Sequence, residues 1–319
     1  MAEIGYHASH EQFAPSDLLR FAVMAEAAGF KAINSSDHFH PWSKRQGQSG
    51  FSFAWLGAAM QATKLPFSMV CAPGQRYHPA IVAQAAATLA ELFPERFCMA
   101  LGSGEALNEN ITGDRWLIKQ ERNERLLECF EIIKRLLSGK CVTHNGKVKI
   151  QEATLYTIPK KPPLLFGAAV TQKTAEWMSG WADGLITVSQ PVEELKKIIE
   201  GFRNSGGEGK PMHVKVQVSY SSSEEEALMG AFDQWRTNIL PAEILGDLWL
   251  PKQYDAAAQF VRPEDMRKSV HISSDPKKHI EWIMAYTDLG FDRIILHNVN
   301  RDQENFITAF GEKVLPHVK

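Results

Sequence analysis

The stretch Glu3-Ile4-Gly5-Tyr6-His7-Ala8-Ser9-His10-Glu11 decides between the two large classes of parallel-sheet protein. Its first six residues read as a short buried strand. The turn after that strand lacks the glycine fingerprint of a dinucleotide-binding sheet and instead carries histidine and glutamate. A helical pattern then runs over Pro15–Ala28, with Leu18, Leu19, Ala22 and Ala25 on one stripe, Pro15 at its start and Gly29 just past its end. A second strand, Lys31–Ser35, completes a strand–helix–strand unit.

The alternation continues outward from this unit. Further strands are expected at Pro66–Cys71, Phe97–Leu101, Leu164–Ala168, Gly184–Val188, His213–Ser219 and Asp292–His297, with helices between them. A hairpin with an Asn145-Gly146 turn is expected between Gly139 and Tyr156. Helical pieces rich in Trp, Leu and Pro break the rhythm between Ser221 and Val270. Eight strand–helix units indicate a closed (β/α)8 TIM barrel, with a long helical insertion after barrel strand 7. The whole chain, 1–319, reads as one domain with insertions at about 139–162 and 221–270.

The 319 residues, 44% hydrophobic and 23% charged, have the composition of a globular protein with one large core. A net charge of −2 gives no global attraction to nucleic acid or to an anionic membrane. No run reaches membrane-spanning length and no leader-like segment opens the chain, so a cytoplasmic location is expected. Cys71, Cys98, Cys129 and Cys141 show no paired spacing and read as reduced thiols.

In a barrel of this kind the chemistry sits where strands end at the C-terminal face. Two polar clusters fall there. The first is Ser36-Asp37-His38-Phe39-His40-Pro41-Trp42, and the second is Gly102-Ser103-Gly104-Glu105-Ala106-Leu107-Asn108-Glu109. Glu11, Asp37, His38, Trp42, Glu105 and Asn108 are expected to converge on one ligand, with Thr187, Ser189, Gln190 and His297 as further candidates. His38 is suited to moving a proton, and Asp37 is placed to orient it, although a cap or ion-pair role fits Asp37 equally well. Trp42 can stack on a ligand. Gly104 lets backbone approach a ligand closely. No metal-ligand spacing is present: His38 and His40 lie two apart, and nothing completes a site.

These clusters, with Ala8-Ser9-His10-Glu11-Gln12-Phe13-Ala14-Pro15, Arg76-Tyr77-His78-Pro79-Ala80 and Ala182-Asp183-Gly184, resemble the luciferase-like oxidoreductase superfamily. They are most similar to its subgroup of F420-dependent glucose-6-phosphate dehydrogenases. The resemblance implies a bound cofactor, FMN or coenzyme F420, a small-molecule substrate and pairing as a homodimer. It implies His38 as acid or base, Trp42 as support for the reacting centre and Glu105 as a proton partner of the ring. Asp37, Met69, Val70, Gly104, Asn108, Ala168 and Ala169 would hold the cofactor, with a cis peptide at Met69-Val70. Glu11, His40 and Gln190 would face the substrate.

The subgroup clamps a sugar phosphate with two lysines and an arginine, and Gln190, Leu245 and Ser269 align with those cations. The expected reaction is therefore hydride transfer between cofactor and a neutral organic substrate rather than glucose 6-phosphate. Two other readings stand beside it: an FMN-dependent monooxygenase using molecular oxygen, and a catalytically silent flavin-binding barrel.

Overall fold

The computed structural model describes residues 2–318. Eight parallel strands close a barrel: β1 (Glu3–Ala8), β2 (Ala32–Ser35), β3 (Phe67–Cys71), β4 (Phe97–Leu101), β7 (Leu164–Ala168), β8 (Gly184–Val188), β9 (Met212–Ser219) and β11 (Arg293–Asn298). Pairing of β8 with β9 completes the ring. A two-residue strand, β10 (His271–Ile272), adds to the outer end of β9. The remaining two strands, β5 (Val142–Asn145) and β6 (Lys149–Ala153), form the antiparallel hairpin.

Helices α1 (Pro15–Ala28), α2 (Ser52–Ala62), α3 (Pro79–Leu92), α4 (Ala106–Glu109), α5 (Lys119–Leu137), α6 (Gln172–Ser179) and α7 (Val192–Phe202) surround the first six barrel strands. Between β9 and β10 lie α8 (Glu224–Trp235), α9 (Ala242–Asp247) and α10 (Pro251–Ala257). The chain closes with α11 (Pro276–Asp288), β11 and α12 (Gln303–Lys313). The eight-stranded barrel is the architecture that the strand–helix alternation predicts.

Local chemistry explains the boundaries. Pro15 occupies the first turn of α1, where a missing N–H costs nothing, and Gly29 ends it at φ 100°. In α3, His78 caps the helix by accepting from Ala80 N, and Pro79 follows at the first turn. Thr171 caps α6 in the same way, accepting from Thr174 N. The strands alternate. Tyr6, Ile33, Met69, Leu101, Leu185, Val214 and Leu296 pack outward against the helices. Inside the barrel, Ala100, Phe166, Ile186 and Ile295 form a smaller apolar plug with Val70, Cys98 and Ala168 beside it.

The Ala182-Asp183-Gly184 motif has a structural meaning here. A Cβ on Gly184 would sit 2.5 Å from Phe166 Cε1 and 2.7 Å from Pro211 O. Asp183 accepts from Leu165 N at 3.0 Å and from Lys134 Nζ at 3.2 Å, fastening β7 to α5. The motif thus seats two strands against the plug. Gly184→Ala is expected to cost about 1–3 kcal/mol, as overpacking does. Chemical denaturation should show a lower midpoint with the slope unchanged.

Candidate active site

Two strand ends, those of β1 and β2, bring the first acid, the imidazole and the indole together. Glu11 follows β1 and is buried. Its Oε1 lies 3.2 Å from His38 Nε2, while Oε2 accepts from Ser9 Oγ at 2.9 Å and Ser36 Oγ at 2.7 Å. Burial alone would raise the Glu11 carboxyl, but His38 and the Ser36 hydroxyl hold it well below the usual carboxylate range.

The other nitrogen of His38 faces Asn108. The Oδ1 of Asn108 accepts from the backbone N–H of Phe39 at 2.9 Å and of His40 at 3.3 Å. That assignment leaves Nδ2 to donate to His38 Nδ1 at 3.1 Å. Nδ1 therefore carries the lone pair, and the exchangeable proton belongs on Nε2, facing Glu11. Trp42 packs against the same imidazole, tilted by 52° at 5.1 Å between centroids, and meets Tyr254 edge-on at 5.4 Å. With Leu107, Leu240, Leu245 and Leu248 they make an apolar roof.

The expectation that Asp37 orients His38 is corrected: Glu11 and Asn108 do so. The Asp37 carboxylate is committed to Arg76 Nη2 at 2.9 Å and to Tyr77 Oη at 3.1 Å. Arg76 also reaches Glu109, whose Oε1 lies 3.5 Å from Nε and whose Oε2 accepts from Arg76 N at 2.8 Å. Burial pushes the Asp37 and Glu109 carboxyls up, and Arg76 pulls both down. Asp37 is thus the ion-pair acceptor that its sequence context also allowed.

Asn108 likewise spends its amide on the His38 loop rather than presenting it to a cofactor. His40 donates from Nδ1 to Leu107 O, 2.8 Å away, which pins the loop to α4.

Other predicted residues divide by the face of their strand. Val70 faces the lumen, but Met69 is packed among the helices. The Met69–Val70 peptide is trans, as is every peptide bond among the described residues, so the expected cis bond is not there. Thr187 shares the helix-facing side of Leu185, because side chains alternate along a strand. Gln190 donates to Val170 O at 3.1 Å and braces the turn after β7. His297 is buried against His7 and Trp235, at 4.4 and 4.7 Å. Arg267 and Lys268 turn to Glu224 and Asp265 instead of the mouth.

The far side of the mouth is built from small residues. Gly102, Gly104, Ala168 and Ala169 cluster where β4 and β7 end. Gly104 has φ 81°, and a Cβ there would meet Glu109 Cγ at 3.0 Å. Glu105 stands at the head of α4, half-buried, and its carboxylate has no partner among the described residues. Burial raises it above the usual carboxylate range, opposed by His38 and Lys215. Small side chains beside an unpaired acid are compatible with a flat heteroaromatic ligand.

Sequence comparison agrees with this geometry. The profile of the luciferase-like monooxygenase family, Bac_luciferase, matches residues 1–293. The chain belongs to that family.

Two relatives cover its whole length. An F420-dependent glucose-6-phosphate dehydrogenase of Microbacterium testaceum is 35% identical, over 99% of this chain and 97% of its own. The Beutenbergia cavernae enzyme of the same name is 34% identical, over 100% and 98%. Among solved structures, an F420-dependent secondary alcohol dehydrogenase in complex with an F420-acetone adduct superposes with a TM-score of 0.92 and 32% identity, over 100% of this chain and 99% of that one. A long-chain alkane monooxygenase shares the fold at TM-score 0.74 and 14% identity, over 99% and 91%.

The raised Glu105 carboxyl has a consequence for stability. A folded-state value above the unfolded 4.5 means that folding favours the protonated form. Stability from this group is full below pH about 4.5 and declines as pH rises through the folded value. Glu105→Gln is therefore expected to melt at or above the wild-type temperature at pH 7. That difference should shrink towards zero at pH 4, as thermal melts across this range will show.

Proposed function

We propose that the protein is an F420-dependent oxidoreductase that interconverts a small alcohol and its carbonyl compound by hydride transfer. The observation that carries this reading is the His38 imidazole, clamped between Glu11 and Asn108 with its proton at Nε2. Support comes from full-length relatives whose names specify F420, together with the small residues at the strand ends beside Glu105.

When bound, the deazaflavin supplies a two-electron hydride acceptor or donor. Gly102, Gly104, Ala168 and Ala169 would border its ring, with Val70 on the lumen wall. The chain's own residues handle the proton. Asn108 disfavours a proton on Nδ1, so a proton that the His38–Glu11 pair gains or gives up would relay through Nε2 and reside on the Glu11 carboxylate. Trp42 covers the imidazole and, with Tyr254 and the leucines of the roof, keeps bulk water from it. Glu105, unpaired and inclined to protonation, would serve as the proton partner of the ring.

The names of the relatives stand against the expectation that glucose 6-phosphate is not a substrate. Yet Gln190 is engaged at Val170, Leu245 lies in the roof and Ser269 ends a short helical turn. The absence of cations at these three places supports an alcohol other than a sugar phosphate.

His38→Ala is expected to lower turnover by about 10²–10⁴-fold while F420 affinity survives. Equal loss of both would mark His38 as a structural residue. Titrating the purified protein separately with F420 and FMN, followed by absorbance, should show the tighter dissociation constant for F420. Tighter FMN binding, with substrate-dependent oxygen uptake, would replace this reading by a flavin monooxygenase.

A further inference from the structure

One cation inside the barrel lacks a counter-charge. Lys215 lies in the middle of β9, where Val214, Val216 and Val218 pack outward against the helices. His213, Lys215 and Gln217 therefore face the lumen. His213 packs on Phe166 at 4.5 Å, and Gln217 accepts from Ser189 Oγ at 2.6 Å. Lys215 is half-buried, and its ammonium has no hydrogen bond or ion pair among the described residues. β9 lies four strands from β3 in either direction around the barrel. Lys215 therefore projects from the wall opposite β3, whose neighbours β2 and β4 lead into the His38 and Glu105 loops.

The other cations near the mouth are engaged. Arg76 is held by Asp37 and Glu109, Lys119 donates to Ser103 Oγ at 2.6 Å, and Arg122 reaches Asp247 at 3.4 Å and Leu117 O at 3.0 Å. Two acids lie in the field of Lys215 without touching it, Glu11 and Glu105. Glu11 is matched by His38 and two serine hydroxyls. Glu105 is inclined to neutrality by burial. His7 and His297, two buried imidazoles in the field of Lys215, have their proton affinity lowered by burial and by Lys215 itself. A half-buried ammonium without an anion is costly to keep, and burial lowers its affinity for the proton.

We propose that Lys215 is the anion contact of the substrate site, and that the substrate is a small hydroxy acid or oxo acid carrying one carboxylate. This rests on the oxidoreductase reading above and narrows it. One ammonium suits one carboxylate; a phosphate dianion calls for several charged donors, and the three rim positions offer none. The expectation of an uncharged substrate counted the rim and overlooked the strand. In oxidation of the hydroxy acid, the carbinol C–H bond breaks and its electron pair leaves as hydride to the deazaflavin. The O–H proton passes to the His38–Glu11 pair as the C=O bond forms; reduction of the oxo acid is the reverse.

The test is calorimetric titration of the protein loaded with oxidised F420, which cannot reduce an oxo acid. The probes are 2-oxo acids of increasing chain length and the matching 2-oxo amides. The acid should bind tighter than its amide by roughly ten- to hundredfold, the weight of one charge-assisted contact. That preference should vanish in Lys215→Met and persist in Lys215→Arg. Lys215→Met should melt at or above the wild-type temperature.

No acid preference in the wild type, or an undiminished one in Lys215→Met, overturns the proposal. A fall in the melting temperature of Lys215→Met, with acid preference intact, assigns Lys215 to structure and also overturns it. So does a selective loss of affinity for reduced F420, which would make the ring the partner of the cation. Failure of the wild type to bind F420 at all would instead refute the cofactor reading.

Discussion

The mouth of the barrel depends on one buried guanidinium. Arg76 reaches Asp37, at the start of the His38 loop, and Glu109, at the end of α4. Its ring contact with Tyr77, at 4.3 Å, closes the group. The segments leaving three successive barrel strands, β2, β3 and β4, are thereby fixed in mutual position. Two carboxylates in such surroundings tolerate ionisation only while the cation lies between them. Loss of one partner from a buried group of this kind typically costs about 3–5 kcal/mol, far more than the pairing contributes. The cluster is better understood as a positional device than as a source of stability. Everything that Asn108 and Glu11 do for His38 presumes that the loops are already in register.

On that base the site combines two kinds of control. Asn108 selects the tautomer of His38 through an amide whose own orientation is set by two backbone N–H groups. Glu11 receives the proton-bearing nitrogen and is itself saturated by serine hydroxyls. The imidazole thus has little freedom to turn, which is what a group that must meet a substrate oxygen requires. Glu105 and Lys215 are different. They keep unsatisfied charge or proton affinity inside a half-buried space, a pattern that is more frequent at functional sites than in supports for the fold.

Much of this could be read before the structure. The apolar runs of β1, β3, β4 and β9 are short, bounded by turn residues and separated by helices of the right length, and these features carry the barrel. The segments holding His38 and Glu105 stand out because histidine, tryptophan and glutamate are crowded just past strands. Roles were harder to read than positions. Asp37 precedes His38 in sequence, yet the chain turns its carboxylate toward Arg76, and no local pattern reveals a partner thirty-nine residues away. Met69 and Val70 are neighbours, but strand alternation sends them to opposite faces. Lys215 escaped notice because a lysine in a strand ordinarily signals a solvent-facing edge. Tyr254 lies in an irregular insertion whose packing on Trp42 has no periodic signature.

The indole of Trp42 is shared property: it touches the His38 imidazole and also the canopy built from the insertion after β9. Evolution can resize that canopy to admit a different molecule, but it cannot do so silently. Any change that shifts Tyr254 or Leu248 leans on the indole and hence on the imidazole behind it. If the proposed role of His38 holds, a canopy reshaped for a new molecule also resets the imidazole that it rests on.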